Sequence, residues 1–356
     1  MFIRLTLLFL LALPELVNAC SVPVFRYALE HWTPDDYQAL VFHRGELSPT
    51  HEALLKKMES ESAANISAKA IDLDDPESAE WKTAWESLKA DALPWMVVRP
   101  NPKTGINWAK ISAGFNAANV ARLLDSPARQ EYVKRIAAGE SAVWILLDGS
   151  DEEASNEAAS VLDERLKYLE SVLQLPELSE ADIANGLISV GADGLKLKFS
   201  SLRISRQEAV EDMFIKALLD TESDLAELDQ PMVFPIYGQG RSLYTLVGKG
   251  INQETIDAAA IFLVGSCSCE VKEENPGVDL LMTADWVGMV KRQAEATPVA
   301  NVEASAAEPE VVKFSSSDPE EPAKPAVAKQ SPPKIGIMLP LIVMGVVFVL
   351  VMLRSR

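Results

Sequence analysis

The sequence predicts an α/β protein built as two tandem three-layer α/β/α domains, followed by a polar linker and one transmembrane helix. Three observations predict it. The stretch from Asp229 to Gly250, DQPMVFPIYGQGRSLYTLVGKG, reads as a proline entry, an apolar strand at Met232 to Ile236, a turn at Gly238-Gln239-Gly240, and a second strand at Ser242 to Val247. Asn252 then caps a helix from Gln253 to Val264, with Ile256, Ala259, Ala260 and Leu263 on one face. The same order occurs earlier: Leu93-Pro94-Trp95-Met96-Val97-Val98, a loop at Asn101 to Gly105, a strand at Trp108 to Ile111, and a helix from Ala117. Finally, Ile335 to Leu353 runs 19 residues without a charge, which at about 1.5 Å per residue spans roughly 28 Å, enough to cross a bilayer.

Taken in order, residues 1–19 read as a secretory signal, with Arg4 ahead of the apolar run Leu5 to Leu13 and a cut before Cys20. A cysteine at that position also admits lipidation, although Val17 and Asn18 depart from the lipoprotein pattern. Residues 20–139 form the first domain: a strand at Tyr37 to His43, a helix at Pro49 to Ser60, a strand at Ile66 to Asp72, a helix at Ala79 to Lys89, the Pro94 hairpin, and helices at Ala117 to Leu124 and Arg129 to Ala138. Residues 140–290 form the second. Its elements are a buried-type strand at Ala142 to Leu147, a helix at Glu152 to Val172 with Leu162, Leu166, Leu169 and Val172 on its stripe, a strand at Leu195 to Ile204, a helix at Gln207 to Leu219, and the Pro231 hairpin. Residues 291–334, rich in Ala, Pro, Glu and Ser, read as a linker with a reach of about 35–40 Å. Arg354 and Arg356 in the tail 354–356 favour a cytoplasmic C-terminus.

Each half thus reads β-α-β-α-β-β-α. That order resembles the thioredoxin-like superfamily over most of Tyr37 to Gly265, with Pro94 and Pro231 where that family keeps its cis-proline. Pro235 departs from the pattern, because a missing N–H inside an interior strand implies a short strand or a bulge. The segments CSVPVFRYALEHW and CSCEVKEENPGVDLLMTADW also resemble exported, membrane-anchored bacterial proteins of similar layout, which brings no activity with it.

Redox-active members of the superfamily carry Cys-x-x-Cys after the first strand, where a helix N-terminus makes the thiol nucleophilic. Here those positions hold Arg44-Gly45-Glu46-Leu47 and Gly149-Ser150-Asp151-Glu152, without sulfur. The resemblance therefore implies catalytically silent domains. The remaining redox candidate is Cys267-Ser268-Cys269, whose small ring would be strained, with Cys20 as a resolving or structural partner. Buried, inert thiols are the competing reading. Three cysteines are too few for a disulfide framework.

The three cysteines and the scattered His31, His43 and His51 leave zinc short of ligands, so no metal and no cofactor are expected. Gly238-Gln239-Gly240-Arg241 and Gly248-Lys249-Gly250 match no nucleotide fingerprint and read as turns. Trp81 and Trp85 share a helix face that packs on the sheet. Asn65-Ile66-Ser67 is a glycosylation sequon only in a pathway that glycosylates. A net charge of −19, from 33 basic and 52 acidic residues, excludes the basic face that nucleic acid needs.

The expected function is a non-enzymatic, single-pass protein of the bacterial cell envelope, periplasmic apart from its anchor at 335–353, acting in interaction or assembly with a protein partner. The alternatives are a thiol-disulfide oxidoreductase using Cys267 and Cys269, or an envelope solute- or metal-binding protein.

Overall fold

The computed structural model describes residues 20–61, 63–90, 92–100, 111–267 and 271–297. The expected signal segment, the apolar run at 335–353, Cys269 and the loop with Trp108 lie outside the described residues. Among the described residues no helix is long and apolar enough to cross a membrane.

The protein is mixed α/β with two sheets. The first contains β1 (Tyr37–His43), β2 (Ile66–Asp72), β3 (Trp95–Pro100) and β4 (Ile111–Gly114) in the order β2-β1-β3-β4. β1 runs parallel to β2, with Tyr37 opposite Ile66, and antiparallel to β3; β4 is antiparallel to β3. The central position of β1 explains YQALVFH: a strand covered on both faces needs a near-continuous apolar run. The last strand begins its described part at Ile111, beyond most of the expected Trp108 to Ile111 segment. Helix α2 (Pro49–Ser60) starts where the Ser48 hydroxyl accepts from the His51 amide and Pro49 fills the first turn. One face of the sheet sends Ala39, Val41, Met96 and Val98 into the main core. The other face carries Phe42 under helix α3 (Ala79–Leu88), where Trp85 and Trp81 lie 5.7 and 6.5 Å from it, centroid to centroid. Both tryptophans therefore pack on the sheet.

Helices α4 (Ala117–Leu124) and α5 (Pro127–Ala137) lead to the second sheet: β5 (Ala142–Leu147), β6 (Phe199–Ile204), β7 (Met232–Tyr237), β8 (Arg241–Ser242), β9 (Leu246–Val247) and β10 (Val278–Asp279). The order is β6-β5-β7-β8-β10, with β9 also on β7. β5 is parallel to β6 and antiparallel to β7, so the arrangement around the first strand of each half is the same.

Four expected elements differ. The second hairpin strand is broken into β8 and β9: Ile236 pairs with Ser242 but Val233 pairs with Leu246, so the returning strand carries one extra residue. That bulge answers Pro235, whose carbonyl accepts from Leu243 at 3.0 Å but whose nitrogen has nothing to donate on the same edge. The turn itself uses Gly238 at φ 58° and Gly240 at φ 103°. β6 starts at Phe199, because the Ser141 hydroxyl and backbone engage Lys196 and Lys198 instead of a ladder. Past the short helix α7 (Glu180–Ala184), helix α8 (Asp212–Leu219) starts five residues after Gln207, behind a 3₁₀ turn at Ala209–Glu211. Helix α6 (Glu152–Val172) buries Leu162, Leu166 and Leu169, but Val172 is 49% exposed. A helix of 21 residues is about 31 Å long and overshoots a six-residue strand of about 20 Å.

The sequence boundary at 139/140 separates the two sheets but not their packing. One apolar cluster includes Val41 and Met96 from the first sheet and Ile145 and Phe234 from the second. Residues 20–32, placed with the first half by chain order, join the second half's outer cluster. There they form helix α1 (Val24–His31), whose Val24 amide donates to Gly265. That glycine ends helix α9 (Gln253–Val264), which Asn252 and Thr255 start with a reciprocal capping box. Helix α10 (Trp286–Ala296) runs through the expected 290/291 boundary, so the linker does not begin at Lys291. Its Trp286 and Met289 are buried, and Trp286 packs edge-on against Tyr132 of α5.

Candidate functional site

The two loops that follow the first strand of each half are closed by their own hydrogen bonds. In the first, Arg44 pairs with Asp74 at 2.5 Å and the Gly45 amide donates to Asp72. Across from it the Leu93–Pro94 peptide is cis, and the Pro94 carbonyl accepts from Phe115 at 2.9 Å. In the second, the Ser150 amide donates to Asp229 at 2.7 Å and its hydroxyl to the Asp229 carboxylate. Asp151 caps α6 through the Glu153 and Ala154 amides. A Cβ on Gly149 would lie 2.6 Å from the Asp229 carbonyl and 2.7 Å from the Pro231 nitrogen, so this loop has no space for a larger residue. Pro231 is not cis: Leu93–Pro94 is the one cis bond among the described residues. The Pro231 carbonyl instead accepts from Gly248, and Arg206 holds the carbonyl of Gln230, which fixes the turn in the trans form.

A groove of about 570 Å³ opens beside Pro231, between α6 and the start of α9. Ala154, Ala158 and Val161 form its α6 wall at helical spacing, and Ile251 with Pro231 continues the apolar lining. Gln230, Lys249 and Gln253 supply polar edges. Gly248–Gly250 is a 3₁₀ turn. Arg241, the other cation of the glycine-rich stretch, points elsewhere: it is buried, 2.9 Å from Asp279, and donates to the carbonyls of Asn275 and Pro276.

Cys20 and Cys267 are both buried, at 4% and 1% exposure, in the same apolar cluster. The strand-like contact between Pro23 and Ser266 brings them near, with the Cys267 amide donating to Val22 at 2.9 Å. The histidines are apart: His31 meets the Leu187 carbonyl, His43 the Gly45 carbonyl, and His51 the Ser48 hydroxyl. Among the described residues no three His, Cys, Asp or Glu side chains gather as metal ligands.

A charged cluster that no local motif announces sits between the halves. Lys272 lies 2.8 Å from both Asp35 and Asp279, and Asp279 also receives Arg241 and the Asp35 amide. Burial alone would raise the Asp279 carboxyl, but the charge of Arg241 and the bond from Lys272 outweigh it and hold the carboxyl below its usual range. Burial likewise pulls Lys272 down, and its bonds to Asp279 and Asp35 carry it above its usual value. Nearby Arg129 is lowered to about 10 by burial, against the charges of Asp125 and Glu211, and is held by the carbonyls of Leu123, Arg122 and Leu281. Asn65, the sequon asparagine, is engaged in the same junction. Its amide donates to Asp35 and Leu280, and its carbonyl accepts from Met282.

A search of protein-family models finds no match to this chain, and a search of curated proteins finds none.

Proposed function

We propose that the chain is a membrane-anchored extracytoplasmic protein of the bacterial envelope. In this reading its two halves are catalytically silent thioredoxin-like units that act in protein interaction or assembly. The observation that carries the reading is the repeated strand order, with the second strand outside the first and the third and fourth on its other side, combined with a sulfur-free loop at each position where a dithiol would act. The apolar run 335–353 supplies the anchor and residues 298–334 the tether. The groove beside Pro231 offers a partner side chain an apolar wall and polar edges, the composition expected of a binding site.

The test is thiol titration of the full-length chain with and without reductant, together with insulin reduction. The expected outcome is no reductase activity. Activity that disappears in Cys267→Ser overturns the reading.

One observation favours thiol-disulfide exchange as a second reading: the fold gathers Cys20 and Cys267 from opposite ends of the ectodomain. Their burial opposes it, because an attacking thiolate needs an accessible, electropositive setting.

A further inference from the structure

A second surface, remote from the Pro231 groove, has the features of a docking site. Residues Thr33, Pro34 and Asp36 form the common wall of two shallow clefts of about 470 and 410 Å³. Trp32 and Lys272 line the first cleft, and Asn65, Gln239 and Trp286 line the second. Each cleft has an exposed valine at its edge: Val271 is 50% and Val287 83% exposed, the latter the most exposed large apolar side chain of the described residues. The remaining rim is acidic. Asp36, Glu273 and Asp285 are exposed; Asp285 pairs with Arg292 at 3.4 Å, whereas neither Asp36 nor Glu273 has an ion-pair partner among the described residues. The one lining ammonium, Lys272, is already neutralised by Asp35 and Asp279.

We infer that the two clefts form one docking groove for an extended, cationic segment of a partner protein, with apolar side chains alternating between its basic ones. Charge complementarity selects this occupant. The rim repels acidic segments and anionic lipid, while the valines reward a segment that is not purely charged. A second copy of this chain brings an equally acidic rim to the same place and is repelled. The inference rests on the interaction reading but uses a different surface, so the two fail separately. Reductase activity removes the first, and loss of groove selectivity removes only this one.

The experiment measures anisotropy of a short fluorescent peptide alternating lysine and leucine against the full chain in detergent micelles. The variant Asp36→Lys/Glu273→Lys is compared with Glu59→Lys/Glu164→Lys, which changes the net charge equally at exposed positions elsewhere. The groove variant is expected to weaken binding about tenfold or more and the control about twofold or less. Val287→Ser is expected to weaken the lysine-leucine peptide but not an all-lysine peptide. Equal losses in the two charge variants, no binding by the parent, or a concentration-dependent dimer abolished by the groove variant would each overturn the proposal.

Discussion

Replacing Asp279 by asparagine tests the junction between the two halves. The substitution keeps the side-chain shape but removes the one carboxylate shared by Arg241, Lys272 and the Asp35 amide. Arg241 is 7% exposed, so its guanidinium is left in a low-dielectric site with only carbonyl partners, and Lys272 keeps Asp35 and the Thr33 carbonyl. Removing one partner from a buried pair costs about 3–5 kcal/mol. At about 2–4 °C per kcal/mol for a domain of this size, the melting temperature should fall by roughly 6–20 °C. Thermal and urea unfolding followed by circular dichroism read this directly. The pH dependence gives a second, independent readout. Asp279 is held below its usual 3.8 in the folded state, so its contribution is present at neutral pH and lost as pH falls from about 4 through the folded value. Lys272 is raised above 10.5, so its contribution is present below about 10.5 and lost as pH rises past the folded value. Asp279→Asn should therefore flatten the acid limb of the stability profile. A loss under about 1 kcal/mol, with an unchanged acid limb, would refute the assignment of this cluster as the clamp between the halves.

Three further outcomes follow from the same packing. Gly149→Ala forces a Cβ to 2.6 Å from the Asp229 carbonyl and should cost about 1–3 kcal/mol by overpacking, read as a lower urea midpoint at unchanged slope. Asn65→Ala removes three hydrogen bonds to Asp35, Leu280 and Met282 and should cost roughly 1.5–4 kcal/mol by chemical unfolding; mass spectrometry after expression in a glycosylating host should find no glycan on folded Asn65. Asn252→Ala removes the capping box of α9 and should cost about 1 kcal/mol by the same unfolding assay.

The elements most legible in the sequence were those whose local pattern and tertiary role agree. AVWILL at Ala142 to Leu147 is a continuous apolar run because β5 lies between β6 and β7, and every one of its residues is buried. Asn252 announces α9 because a cap is a local hydrogen-bond requirement. Pro235 was legible as a conflict, which the fold answers with a bulge. What was not legible depends on distant partners. VFRYALEH carries a helical stripe at Val24, Phe25, Ala28 and Leu29, but it follows a segment read as signal and its packing surface comes from residues more than 100 positions later, part of it more than 200. Trp286, Met289, Val290 and Gln293 have helical spacing, yet the composition after Lys291 resembles a linker and hides the end of α10. The Asp35, Lys272, Asp279 and Arg241 cluster has no signature at all, since Asp35 and Asp279 are 244 positions apart. Of the candidate site, the absence of sulfur at both loops was readable; the groove beside Pro231 was not, because a groove is made by gaps between helices rather than by a run of residues.

The seating of α1 sets an order of events during synthesis. Residues 20–32 are made long before Gly265 to Cys267, which complete the surface that receives them. Until then Val24 and Val22 lack their backbone partners Gly265 and Cys267, and the second half lacks part of its outer layer. A chain that stops before Gly265 therefore leaves α1 incompletely packed, with apolar surface of the kind that favours aggregation.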